Sequence, residues 1–250
     1  MLLVLTYHRI VESPGEISGF FDVCAGELEA HVRAATAAWG GGTSPGALQK
    51  DQNGRGGVRR GFLVTFDDGT ADHYYIAAPL LERNGLRGVF FVNTSLLGAP
   101  GYLSLSQCQE LQARGHAIES HSHEHKVLPG LPEREMHRQL CESRRFLRDA
   151  SLGQWNFLAV PGGYFNPAVI QVAKANGYRS LRTVQWGYNR KLDPFRVESI
   201  IINRKTARGW FRPLISPCCE ASKKAVYRTK EVMKRCLPLI YARLLYARRG

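Results

Sequence analysis

Phe62-Leu63-Val64-Thr65-Phe66-Asp67-Asp68-Gly69 opens the most informative stretch of this 250-residue chain. Five apolar or β-branched residues make a buried strand, and two carboxylates and a glycine end it. Residues 71–84 then carry a helical pattern closed by Gly85, and Gly88-Val89-Phe90-Phe91-Val92 is a second buried strand. Short apolar runs separated by a helix describe a strand–helix–strand unit with parallel strands covered on both faces.

The same alternation extends outward. Residues 2–6 read as the first strand, and Leu28, Val32 and Ala35 put a helix over 27–39. Residues 40–61, rich in Gly, Ser, Pro and Gln, read as a long loop. On the other side lie a helix over 104–114, capped by Ser104 or Ser106 and stopped at Gly115, and a strand at 117–120. A charged amphipathic helix follows at 132–147, then a strand at 157–160. Asn166 and Pro167 start a helix that runs to residue 176. The last strands are 178–183 and 197–202. About seven βα units favour a closed α/β barrel over an open sheet. The site of such a barrel lies at the carboxyl ends of its strands.

Four groups fall at those ends. Asp67-Asp68-Gly69 follows one strand, and His121-Ser122-His123-Glu124-His125 follows another. Pro161-Gly162-Gly163-Tyr164 follows a third, and His8 follows the first. Two adjacent carboxylates at a buried strand end repel each other unless a cation or proton offsets them. His121 and His125 are four apart, so one helical turn would put both rings on one face. With Asp68 they offer three metal ligands and an open position for water, the pattern of a catalytic site. Asp67 is left free as a base toward that water. Gly162 and Gly163 could present a backbone N–H to an oxyanion. Ser122 could hydrogen-bond a ligand side chain, and His123 projects differently from its neighbours.

These residues carry a family resemblance. Thr65-Phe66-Asp67-Asp68-Gly69 resembles the first motif of the polysaccharide deacetylase (NodB-homology) family, and His121 to His125 resembles its second, H-[ST]-x-x-H. The resemblance spans about Val4 to Asn203, with support from Gly88–Val92 and from Gly101-Tyr102-Leu103-Ser104. It implies a distorted (β/α)7 barrel and hydrolysis of N- or O-acetyl groups, mostly on sugars, with Zn2+ or a similar divalent ion. It makes Asp67 the base and Asp68, His121 and His125 the metal ligands. The chain departs from the family in two places. Ala159 stands where the third motif often has an arginine that orients the base. Ile200-Ile201-Ile202-Asn203 lacks the late histidine that protonates the leaving amine. His8, in a Tyr7-His8 pair like that of exopolysaccharide-deacetylating subfamilies, is the substitute. Trp186, and Tyr164 at the rim, are candidates for contact with a sugar.

The net charge of +13 is uneven. From Arg204 onward there are 13 Lys or Arg against Glu220 and Glu231, a local +11, whereas residues 1–203 carry only +2. This divides the chain into a deacetylase-like domain, 1–203, and a basic amphipathic helical extension, 204–250. Such an extension suits peripheral contact with an anionic membrane surface. The charge does not describe a nucleic-acid surface, since no aromatic-and-glycine pattern accompanies it. The six cysteines form no C-x-x-C pair, which argues against disulfides and cysteine-held zinc. Met1–Leu5 lacks a basic start, and no apolar run reaches membrane-spanning length, so the expected address is cytoplasmic. The function expected is removal of an N-acetyl group from an amino sugar in a glycan precursor, glycoside or lipid-linked sugar. A deformylase or other amidase, and a decayed carbohydrate-binding protein, are the alternatives.

Overall fold

A computed structural model describes residues 1–45, 60–207, 209–219 and 224–225. The first compact unit is Met1–Ile215. Its strands are β1 (Leu2–Tyr7), β2 (Ile10–Val11), β3 (Val23–Cys24), β4 (Gly61–Phe66), β5 (Gly88–Val92), β6 (Ala117–Ser120), β7 (Phe157–Ala159), β8 (Ser180–Arg182) and β9 (Ile200–Ile201). Its helices are α1 (Ala25–Trp39), α2 (Ala78–Arg83, entered through a π-helical turn His73–Ala77), α3 (Leu105–Ala113), α4 (Glu133–Asp149), α5 (Pro167–Ala175), α6 (Arg204–Ala207) and α7 (Phe211–Ile215). Seven strands form one sheet in the order β8-β7-β6-β5-β4-β1-β9, and every pair is parallel. This is the expected distorted (β/α)7 barrel.

Closure is irregular and explains the distortion. β9 pairs with β1 over only two residues. The chain just before it turns to β8 instead: Val197 N donates to Leu181 O, and Thr183 N donates to Val197 O. One segment therefore bonds β8 at its start and β1 at its end, bridging the gap. The strand expected over 197–202 is split between two neighbours, so only Ile200–Ile201 is regular.

β1, β4 and β5 are buried along their whole length, as their unbroken apolar runs require. Alternate residues part into two layers. Leu2, Val4, Leu63, Val89, Phe91, Ala117, Phe157, Ala159 and Val197 pack together inside the barrel. Leu3, Leu5, Tyr7, Val64, Phe66, Phe90 and Ile118 face outward, in the cluster that takes Leu28, Val32, Leu80, Leu81 and Leu111 from the helices. Asn166 Oδ1 accepts from Val169 N and caps α5, and Ser104 caps α3 by accepting from Gln107 N. Both caps are where the sequence puts them.

The helices α6 and α7 belong to the same unit as the barrel, tied by Trp39 Nε1 to Ile215 O. Most of the extension read over 204–250 lies outside the described residues, as does most of the 40–61 loop. No helix among the described residues is long and apolar enough to cross a membrane.

Candidate active site

The barrel's inner face turns polar at the carboxyl ends of the strands. Thr6 and Thr65 are partners in the β1–β4 register, and their hydroxyls share a hydrogen bond of 3.0 Å. One residue beyond β4, Asp67 is 3% exposed. Asp68 then enters the left-handed region, with φ 76, and Gly69 follows at φ 74. A Cβ on Gly69 would lie 3.0 Å from Val92 Cγ1. This sharp turn separates the two carboxylates, leaving Asp67 in the barrel and Asp68 facing the loop after β6.

That loop carries the histidines, but not on a helical turn as the four-residue spacing suggests. Residues 121–127 have no helix. Ser122 and His125 are left-handed, with φ 68 and 55, and this backbone brings both rings round to Asp68. Asp68 Oδ1 lies 3.5 Å from His121 Nε2 and 3.3 Å from His125 Nε2. One ligand atom from each of Asp68, His121 and His125 lies within 4.8 Å of the others. His121 Nδ1 is 2.9 Å from Ala159 O. A carbonyl only accepts, so Nδ1 carries a proton, which leaves Nε2 as the ring atom that faces Asp68. Burial raises the Asp68 carboxyl, but hydrogen bonds from the two histidines outweigh it and hold the group well below the usual range. The pair with Asp68 raises His125. Three ligand atoms converging from two loops fit a divalent cation.

Asp67 has a partner that no motif announced. Arg182, at the end of β8 and 4% exposed, donates from Nη2 to both Asp67 oxygens at 2.6 Å. Its Nη1 reaches Thr6 Oγ1 at 3.4 Å, and the guanidinium lies over the Phe91 ring at 5.2 Å. Burial pushes the Asp67 carboxyl up, while Arg182, then His121 and His8, pull it down, for a net fall. Asp67 is therefore a carboxylate. Ala159, where the third motif often has an arginine, is the register partner of Arg182 on the next strand.

 The sequence signal for it was weak: residues 178–183 hold two arginines, of which Arg179 is exposed and Arg182 buried.

His8 Nε2 stands 4.0 Å from Asp67 Oδ2, and the His8 ring stacks on Phe21 at 4.6 Å. Burial outweighs the pull of Asp67 and Asp68 and leaves the His8 pKa lowered, so the ring is neutral near pH 7. Its Nδ1 is buried with no protein partner among the described residues. Gly162 and Gly163 follow β7 after Val160 and Pro161, both with positive φ, and Tyr164 beyond them is 59% exposed. Trp186 is not brought to these groups. It packs with Tyr188, 5.4 Å between centroids, against the outer cluster of the barrel. The chain next to it, at Asn189, hydrogen-bonds Leu2 at the amino end of β1, the end opposite the site. Ser122 donates to Gln139 rather than to a histidine, and His123 turns away to Thr94 Oγ1 at 2.9 Å.

The model of the family described as polysaccharide deacetylase matches residues 57–181. The chain belongs to the polysaccharide deacetylase family. A Bacillus subtilis (strain 168) protein with the provisional name polysaccharide deacetylase YxkH is 29% identical over 125 residues. That match covers 50% of this chain and 45% of the relative, so the chain spans under half the length of the curated protein it matches. Among solved structures, the deacetylase PplD of Streptococcus pyogenes, in complex with acetate, superposes with a TM-score of 0.75 at 21% identity. It covers 86% of this chain and 98% of PplD. IcaB from Ammonifex degensii gives 0.72 at 22% identity, over 84% and 97% of the two chains. These likenesses show that the chain shares the fold of these two proteins.

Proposed function

We propose that this polysaccharide deacetylase is a metal-dependent hydrolase that removes an N-acetyl group from an amino sugar. The Asp67–Arg182 pair carries the reading, because it keeps a carboxylate ionised and aimed beside the three convergent donors. In a decayed site, a buried ion pair of this kind would be an unrewarded cost.

Asp68, His121 and His125 would hold the cation, and Zn2+ suits their oxygen and nitrogen donors. When bound, such an ion supplies Lewis acidity toward water and the acyl oxygen. The chain's own residues do the rest. Arg182 holds Asp67 as a carboxylate, and Asp67 takes the proton of the attacking water. The water oxygen adds to the acyl carbon, the C–N bond breaks, and acetate and the free amine leave. His8, whose Nε2 stands 4.0 Å from Asp67 Oδ2, would carry that proton to the leaving nitrogen. Gly162 and Gly163 offer backbone N–H groups at the rim for the oxyanion, and Tyr164 an exposed ring for the sugar. On the sequence alone, the substrate is a cytoplasmic glycan precursor, glycoside or lipid-linked sugar, and the basic segment from Arg204 onward faces an anionic membrane.

Purified protein should carry close to one ion per chain by elemental analysis. His125→Ala should lower that content sharply, and unchanged metal would sink the ligand assignment. Asp67→Asn should keep the metal and lose acetate release from N-acetylated glycosides, nucleotide sugars or lipid-linked sugars. An active Asp67→Asn protein would remove Asp67 from the role of base.

A further inference from the structure

The loop from His121 to His125 adopts a backbone that its own residues do not favour. Ser122 and His125 are both left-handed and neither is glycine. Such conformations persist where the surroundings over-determine them. Much of that surrounding comes from one side chain on α4. The buried stripe of α4 is Met136, Gln139, Leu140, Ser143 and Leu147. Two of these five are polar, and both point at the end of β6.

Gln139 is fully buried. Its Oε1 accepts from Ser122 Oγ at 3.3 Å and from Glu124 N at 2.8 Å. Its Nε2 donates to Glu124 Oε2 at 2.8 Å and Glu135 Oε1 at 3.1 Å. Both lone pairs and both protons of the amide are used. Reversing the amide would set its NH2 against a backbone N–H and its oxygen against two carboxylates, so the orientation is fixed. These bonds grip residues 122 and 124, the positions just inside His121 and His125. Ser143 adds a hydrogen bond to Ser120 Oγ, which accepts from Ser122 N at 3.1 Å. On the opposite side, Ser95 N donates to His123 O at 3.1 Å. The loop is clamped from both sides, and Gln139 is its one wholly internal amide clamp among the described residues.

We propose that Gln139 is a positioning residue for the metal, setting the separation of His121 and His125 around Asp68. The inference rests on reading those three as the ligands. An apolar residue of similar size would satisfy α4 packing equally well. What the amide adds is the shape of the loop.

The test uses the full chain, stripped of metal with a chelator, with Zn2+ as the probe. Affinity is read by competition with a chromophoric chelator, well below the melting temperature of each variant. Gln139→Leu should weaken Zn2+ binding by about 10–100-fold, the usual effect of losing a group that orients a ligand. Gln139→Glu keeps the accepting oxygens but sets a charge against Glu124 and Glu135, so it should bind between the two. It also serves if the leucine variant fails to fold. Leu140→Ala removes a buried side chain next door, so it should lower the melting temperature and leave Zn2+ affinity as in the unmodified chain. Full affinity in both Gln139 variants, with affinity lost in His125→Ala, would overturn the proposal and leave the triad standing. So would a loss in Leu140→Ala as large as that in Gln139→Leu. Full affinity in His125→Ala would instead overturn the triad, and the proposal with it.

Discussion

Replacing Arg182 with methionine would keep an unbranched chain in the barrel and delete its charge. Asp67 would then be a buried carboxylate without its cation. Both partners are 4–5% exposed as side chains, and each Asp67 oxygen is 2.6 Å from Nη2. With charge centres about 4 Å apart and an effective dielectric near 20, the lost attraction is about 4 kcal/mol. Breaking buried pairs by removing one partner costs about 3–5 kcal/mol, so the two routes to the number agree. Urea denaturation of metal-free protein at neutral pH should show a loss of that size. Asp67→Asn alone should also destabilise, since it leaves Arg182 unpaired. The double variant should lose several kcal/mol less than the two singles together, because neither charge is then stranded. Acetate release should fall in Arg182→Met even at temperatures where the fold is intact. A loss under about 1 kcal/mol, the range of exposed pairs, with no coupling in the cycle, would refute the reasoning.

Three further outcomes follow from other parts of the barrel. Glu82 accepts from Arg114 Nε and Nη2 and lies 2.9 Å from His116 Nε2, and its carboxyl is held below 4.5 chiefly by Arg114. Burial lowers His116 below 6.5. Both depressed values stabilise the fold above the unfolded pKa, and that stability is lost as pH falls through 6.5 for His116 and below 4.5 for Glu82. Glu82→Gln should therefore lower the urea midpoint at pH 7, and the gap should close in acid; a pH-independent gap would contradict the assignment. Gly163 has φ 73, and a Cβ there would meet Val184 Cγ2. Gly163→Ala should cost about 2–4 kcal/mol, strain and overpacking together, measured by thermal unfolding; a neutral substitution would mean that the turn is not as described. Burial pushes the Cys108 thiol up to about 12. Iodoacetamide at pH 8 should modify exposed Cys141 and spare Cys108, read by mass spectrometry of the folded protein.

The parallel barrel was legible because its strands are buried on both faces, which leaves long apolar runs such as Leu2–Tyr7 and Gly61–Phe66. Helix starts were legible where a side chain caps them, as at Ser104 and Asn166. The closing strand was not, because residues 194–201 divide their hydrogen bonds between β8 and β1, and no periodicity records a change of neighbour. At the site, spacing rightly suggested that His121 and His125 share a target. It gave the wrong local structure, because left-handed Ser122 and His125 produce the same convergence as a helical turn. Trp186 was misplaced for a related reason. A loop after a barrel strand suggests the rim, but this one runs back along the barrel wall until Asn189 meets Leu2.

Arg182 shows why a gap in a motif can mislead. Ala159 of β7 and Arg182 of β8 are partners in the parallel register, so they stand at one height on the barrel wall. They are one strand apart, about 4.8 Å, a step that a long arginine side chain spans. Along the chain they are separated by a helix and two loops, so a comparison position by position finds only the alanine. Arg182 reaches Asp67 from β8, with its guanidinium over the Phe91 ring and both partners buried. At the vacated place, Ala159 keeps its backbone in use, because its carbonyl holds the His121 proton. A small residue there leaves room for Arg182 to cross the barrel to Asp67. Restoring bulk at that point, for example Ala159→Leu, should therefore disturb the Asp67–Arg182 pair before it disturbs the His121 carbonyl bond. Loss of acetate release with Zn2+ content preserved is the expected signature, and loss of both together would place the effect on His121 instead.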